Sequence, residues 1–252
     1  MRIGLAVLEI GADPADNLRR LIDLAHESAD AQVDLVLFPE AAITGLCNDD
    51  DPQHDLPLGQ VVPGPATEAV REVARARRLW VAFGLLERDG GSLYDSAVLV
   101  DPTGEIRLTY RRINPQWHGP AASPLVYRQG SDVPSVETPW GRLAMLLCGD
   151  LFDDGVVVQA RERDPDVVLL PFARSFADGA VDQARWDRSE MPAYAERVRC
   201  LGATTLMVNY LADRETLPDD GSFGGAFVVS PDGAVPARKP LGVPGLLCAE
   251  LP

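Results

Sequence analysis

Short apolar windows of strand length alternate with windows of helical periodicity from one end of the chain to the other, and this alternation restricts the fold to the mixed α/β classes. Residues 2–9 and 33–38 read as buried strands. Between them Asp13-Pro14 supplies an N-cap and a proline suited to the first helical position, for a helix running to about residue 31. A second helix is expected over 65–78, where Pro65 starts it and Ala69, Val70, Val73 and Ala76 follow its period. The pattern then changes. Leu79 to Glu87, Leu93 to Val100 and Glu105 to Arg111 are separated by the turn signals Asp89-Gly90-Gly91 and Asp101-Pro102-Thr103-Gly104, which predicts an antiparallel meander. Residues 113–132, with prolines at 115, 120 and 124, read as loop. Further strands are expected at 141–147, 166–170, 204–210, 225–230, 234–238 and 246–249, with helices near 154–163 and over about 183–202. Mixed strands with helices arriving in pairs suggest an α/β sandwich in which helices cover one face of each of two sheets.

No linker, repeat or low-complexity tract interrupts the 252 residues, so a single domain over 1–252 is expected. The 38 acidic against 23 basic residues give a net charge of −15, a field that repels phosphate backbones and anionic membrane surfaces. Neither nucleic acid nor a membrane is an expected partner. The longest apolar stretch, Leu79 to Leu86, is far short of the roughly 18 residues of a spanning helix. The strand-like start has no signal-peptide architecture, and a soluble, cytoplasmic protein is expected. Cys47, Cys148, Cys200 and Cys248 are scattered and read as free thiols, and three histidines are few for a metal site or a Ser-His-Asp triad. No cofactor and no metal is expected.

Three polar residues fall at strand ends, where α/β folds gather their sites: Glu40, Arg112 and Cys148. Phe38-Pro39-Glu40 with Thr44-Gly45, then Tyr110-Arg111-Arg112, then Leu147-Cys148-Gly149-Asp150 resembles, in order and spacing, the nitrilase or carbon-nitrogen hydrolase superfamily. Supporting matches are Asp166 to Pro171, Glu196-Arg197 with Asn209, and Gly224-Gly225 followed by Val229-Ser230-Pro231-Asp232-Gly233, so the resemblance covers nearly the whole chain. It implies a four-layer αββα sandwich, a homodimer, and a Glu-Lys-Cys site that attacks small amides or nitriles through an acyl-thioester. A free thiol is only a few per cent ionised at neutral pH, so a carboxylate is needed as base, and Glu40 takes that place. The oxyanion of the tetrahedral intermediate wants a cation and an N–H donor, which by position are Arg112 and Gly149.

Arg112 stands where the family has lysine, and its guanidinium is wider and able to clamp a carboxylate. Such a clamp on Glu40 is expected to lower its pKa. No second glutamate follows in the 113–132 loop. Phe172 is expected as a pocket wall, and Arg174 as a partner for a substrate carboxylate if it points inward. The residues by themselves leave bland roles open: a core thiol for Cys148, a capping or ion-paired acid for Glu40, surface charges for Arg112 and Arg174. The leading expectation is a thiol amidohydrolase. An acyltransferase using the same thioester, or a degenerate member that binds a small molecule or protein without turnover, are its alternatives.

Overall fold

In the computed structural model, which describes residues 1–251, the chain opens with β1 (Arg2–Val7) and the two-residue β2 (Glu9–Ile10). Asp13 caps α1 (Pro14–Asp30) by accepting from the Ala15 N–H at 2.8 Å, and β3 (Leu35–Leu37) follows. Next come α2 (Pro52–Leu58) and α3 (Pro65–Arg77), then the expected meander of β4 (Trp80–Asp89), β5 (Ser92–Val100) and β6 (Ile106–Arg111). Past the proline-rich loop lie β7 (Ser135–Thr138), β8 (Gly141–Met145), a 3-10 turn over Cys148–Phe152, α4 (Asp154–Glu162) and β9 (Val167–Phe172). The expected long helix is three pieces in sequence: α5 (Gln183–Arg185), a π-helical turn (Trp186–Glu190) and α6 (Met191–Leu201). The chain closes with β10 (Thr204–Asn209), β11 (Leu211–Ala212), β12 (Ala226–Val229), β13 (Ala237–Lys239) and β14 (Gly245–Glu250).

Two six-stranded sheets result, in the orders β14-β1-β3-β4-β5-β6 and β13-β12-β10-β9-β8-β7. Each has three parallel strands at its centre and antiparallel strands outside them. Strand alternation sorts the first sheet's side chains between two cores. Ile3, Leu5, Val7, Leu35, Leu37, Trp80 and Ala82 face the second sheet, whereas Ala6, Val36, Val81 and Phe83 pack with Leu21 of α1 and Val70 of α3. On the second sheet, helices α4 and α6 supply Val156, Ala160, Tyr194 and Val198 to the core shared with Leu169 and Met207. The order helix, sheet, sheet, helix is the expected four-layer sandwich. Among the described residues no helix is long and apolar enough to cross a membrane.

Candidate active site

Glu40 leaves the end of β3 in the tight turn Pro39–Gly45, and a glycine on the neighbouring strand lets that turn in. A Cβ on Gly84 of β4 would stand 2.6 Å from the Ala41 nitrogen and 2.7 Å from Glu40 Cα, closer than side-chain packing tolerates. The same glycine donates its N–H to Pro39 O at 3.1 Å. Glu40 is thereby held with no exposure to solvent.

Arg112 enters from the end of β6. Strand alternation sends its neighbour Arg111 outward, where it stacks over Tyr94 and pairs with Glu87 and Asp89, and sends Arg112 inward to 3% exposure. Its Nη1 donates to Glu40 Oε1 at 2.9 Å and to Asp95 Oδ2 at 3.2 Å. Asp95, on β5, is 1% exposed, and its carbonyl accepts the Arg112 N–H at 2.8 Å. Sequence reasoning missed it, although a signal was there: a lone acid in an apolar strand, whose hairpin register, Ser96 opposite Arg111, sets residue 95 opposite 112.

Cys148 begins the turn after β8 with φ of 43°, a left-handed conformation uncommon for a residue with a side chain and concentrated at functional sites. Its thiol lies 3.6 Å from Ala173 O at the end of β9. Asn209 fixes that end from β10, accepting the Arg174 N–H at 2.7 Å and donating to the Arg174 and Gly224 carbonyls. Beneath the Cys148 turn, buried Asp150 gathers four donors: the N–H groups of Leu147, Ile113 and Asn114 and the Tyr110 hydroxyl at 2.7 Å. One carboxylate therefore ties the Cys148 turn to the chain that carries Arg112. Among the described residues the Gly149 N–H donates to no protein oxygen, as expected for the start of a helical turn.

Cys148, Arg112 and Gly149 border a cavity of about 380 Å³, together with Gln116, Phe152, Ala173, Arg174, Glu190 and Tyr194. Glu40 lies beneath it. Phe172, expected as a wall, is fully buried and packs on Trp186 and Tyr194, because β9 alternation turns it into the core; Phe152 and Tyr194 are the aromatic faces at the cavity. Arg174 does border it, but its Nε and Nη2 are engaged by Glu190 Oε2 at 3.0 and 2.8 Å, so its fork is already occupied. A larger cavity, about 650 Å³, opens beside Cys47, Tyr210 and Asp220; it shares Ala173 but none of the three candidate catalytic groups.

The electrostatics correct one expectation. Arg112 does not clamp Glu40 in a fork, since a single nitrogen reaches a single oxygen. Burial, then the neighbouring Cys148 and Asp95, push the Glu40 carboxyl well above the usual carboxylate range, and Arg112 only partly offsets them. Burial also raises Asp150, to about 6, against its donors. For Arg112 burial disfavours the charge, but Glu40, Cys148 and Asp95 outweigh it and keep the guanidinium ionised.

Comparison with known proteins agrees with this arrangement. A family model described as carbon-nitrogen hydrolase matches residues 2–252. A formamidase from Bacillus cereus (strain Q1) is 29% identical over 170 residues, 65% of this chain and 49% of the relative. One from Allorhizobium ampelinum is 31% identical over 159 residues, 59% of this chain and 44% of the relative. The chain thus spans about half the length of the curated relatives it matches. Among solved structures, the amidase from Nesterenkonia sp. AN1, in a form carrying acrylamide added to its active-site cysteine, superposes with a TM-score of 0.79 at 24% identity. That match covers 100% of this chain and 93% of the other, a likeness of fold. With a match from residue 2 to residue 252 and the sandwich it requires, the chain belongs to the carbon-nitrogen hydrolase family.

Proposed function

We propose that this protein is a thiol amidohydrolase that cleaves a non-peptide C–N bond of a small amide, with Cys148 as nucleophile and Glu40 as general base. The observation that carries the reading is the convergence of three strand ends on one small cavity: Cys148 at its surface, and Arg112 joined to the buried Glu40 behind it. The named activities of the relatives, formamidase and amidase, favour amides over nitriles.

In this mechanism Glu40 takes the thiol proton as sulfur attacks the amide carbonyl, and its upward displacement makes it a better proton acceptor than an ordinary carboxylate. The oxyanion is met by the Gly149 N–H and the Arg112 charge. Collapse passes the proton from Glu40 to the departing ammonia or amine and leaves an acyl-thioester. Water, deprotonated by Glu40, then releases the acid and restores the thiol. A cavity of about 380 Å³ suits a small substrate, with Phe152 and Tyr194 against its apolar part.

Arginine in place of the family's lysine favours a second reading, a small-molecule binder without turnover. Peptide mass spectrometry after brief exposure to small amides and activated esters separates the two. The amidase reading expects an acyl group on Cys148 alone, none there in Cys148→Ala, and uptake slowed by roughly 10²-fold or more in Glu40→Gln. Equal labelling of all four cysteines in the folded protein refutes it. Partition of the thioester between water and an added amine tests whether the acyl group is instead transferred.

A further inference from the structure

Two carboxylates meet one guanidinium where water does not reach. Arg112 Nη1 serves one oxygen of each acid, Glu40 Oε1 and Asp95 Oδ2. The remaining oxygens, Glu40 Oε2 and Asp95 Oδ1, are both buried without any hydrogen-bond partner. Fully ionised, the trio would carry a net negative charge and two orphaned acceptors, an arrangement that low-dielectric surroundings penalise twice. One proton removes both faults. It gives the two carboxyls a donor between them and brings the trio to neutrality.

We propose that Glu40 and Asp95 share a single proton between their buried carboxyl groups, and that Asp95 is a positioning residue that keeps Glu40 oriented as the base. This rests on the reading of Glu40 as the general base. The other charged or titratable groups facing the pair are Arg112 after β6, Cys148 and Asp150 in the nucleophile turn, and Tyr194 from α6; Tyr110 spends its hydroxyl on Asp150. None of these supplies a proton to the two orphaned oxygens. The upward displacement of Glu40, with a hydrogen bond to Asp95 among its causes after burial and the two neighbouring charges, agrees with the sharing.

The proton count balances through the cycle. When the thiol gives its proton to Glu40, both acids are protonated and the negative charge moves to sulfur and then to the substrate oxygen. When the leaving amine takes the proton from Glu40, the pair returns to one. The shared proton is never consumed, so a neutral hydrogen-bond donor at position 95 serves the same step.

Infrared spectroscopy of the ligand-free protein at mildly alkaline pH, where exposed carboxyls and Asp150 are ionised, tests the sharing directly. The expected result is a protonated-carboxyl carbonyl band that shifts in D2O and is lost in both Asp95→Asn and Glu40→Gln. Absence of the band from the wild type, or its survival in either variant, overturns the proposal, and the wild type with Glu40→Gln decides it even where the Asp95 variant does not fold. In Cys148 acylation, Asp95→Ala is expected to lose about tenfold or more and Asp95→Asn to recover most of that loss, because the amide restores a donor. Equal rates for these two variants overturn the positioning role. If Cys148 takes up no acyl group even in the wild type, the amidase reading fails while the infrared result still decides the shared proton.

Discussion

At Gly149 the packing explains how an arginine fits where a shorter, narrower cation is usual. A Cβ there would lie 2.7 Å from Arg112 Nη2 and 3.2 Å from Asn114 Oδ1, so the missing side chain is the space the guanidinium fills. Gly149→Ala is therefore expected to displace Arg112 and slow Cys148 acylation by about tenfold or more, whereas in an Arg112→Lys background the same change costs less, a coupling of about 1–2 kcal/mol in a double-mutant cycle of acylation rates. Additive effects would separate the two residues. Glu40, Arg112 and Cys148 were legible in the sequence because short motifs in fixed order mark them. Asp95 was not, because its importance arises from a cross-strand neighbour 17 positions away, and a single acid in a strand carries no motif. Phe172 and Arg174 were legible as neighbours of the site but not in their contacts, which depend on Trp186, Tyr194 and Glu190 arriving from another helix.

Among the elements, β4 has the most direct hold on the chemistry. Gly84 admits the Glu40 turn so closely that Gly84→Ala is expected to cost about 1–3 kcal/mol in stability and to slow acylation beyond what that destabilisation explains, since the displaced atoms belong to the proposed base, Glu40. Denaturant titration alongside acylation rates checks this; lost stability with an unchanged rate would remove the positioning role. Strands and helices bounded by Asp-Pro, Asp-Gly or Pro signals were found within a few residues: α1, α3 and the β4–β6 meander are examples. No element is expected from the sequence over 52–58, where helix α2 lies; Asp51-Pro52 repeats the Asp13-Pro14 signal, but Pro57 interrupts the helix interior. Its buried Asp55 accepts from the Asp49 and Asp50 N–H groups and the Tyr127 hydroxyl, which explains the acidic run 49–51 as capping and turn structure. Strand β7 was missed because it is a short edge strand of mixed polarity. The π-helical turn gives no periodic signal, since one extra residue per turn is set by packing around Trp186.

For the molecule as a whole, the buried acids set how stability depends on pH. Asp150 titrates near 6 in the folded chain against 3.8 for an ordinary aspartate, and Glu40 is displaced in the same direction. A raised carboxyl pKa means the folded state holds its proton longer, so Asp150 weakens the fold as pH rises from about 4 through 6 and restores about 1–3 kcal/mol on the way down, with Glu40 acting in the same direction. The surplus of 15 negative charges shrinks over the same interval. Below it the trend reverses, because Asp101, whose bonds from Thr103 and Glu105 outweigh its burial, must give up a lowered pKa. Thermal unfolding followed across this range is expected to show a maximum near pH 4, and a maximum at neutral or alkaline pH would contradict it. Glu40 hangs from one sheet of the sandwich and Cys148 from the other, with Asp150 reaching from the second sheet to the backbone that follows β6 of the first. In the proposed mechanism the distance a proton must cross is therefore a clearance between two separately built plates, and a slip of one plate past the other would part Glu40 from Cys148 while every strand is still intact.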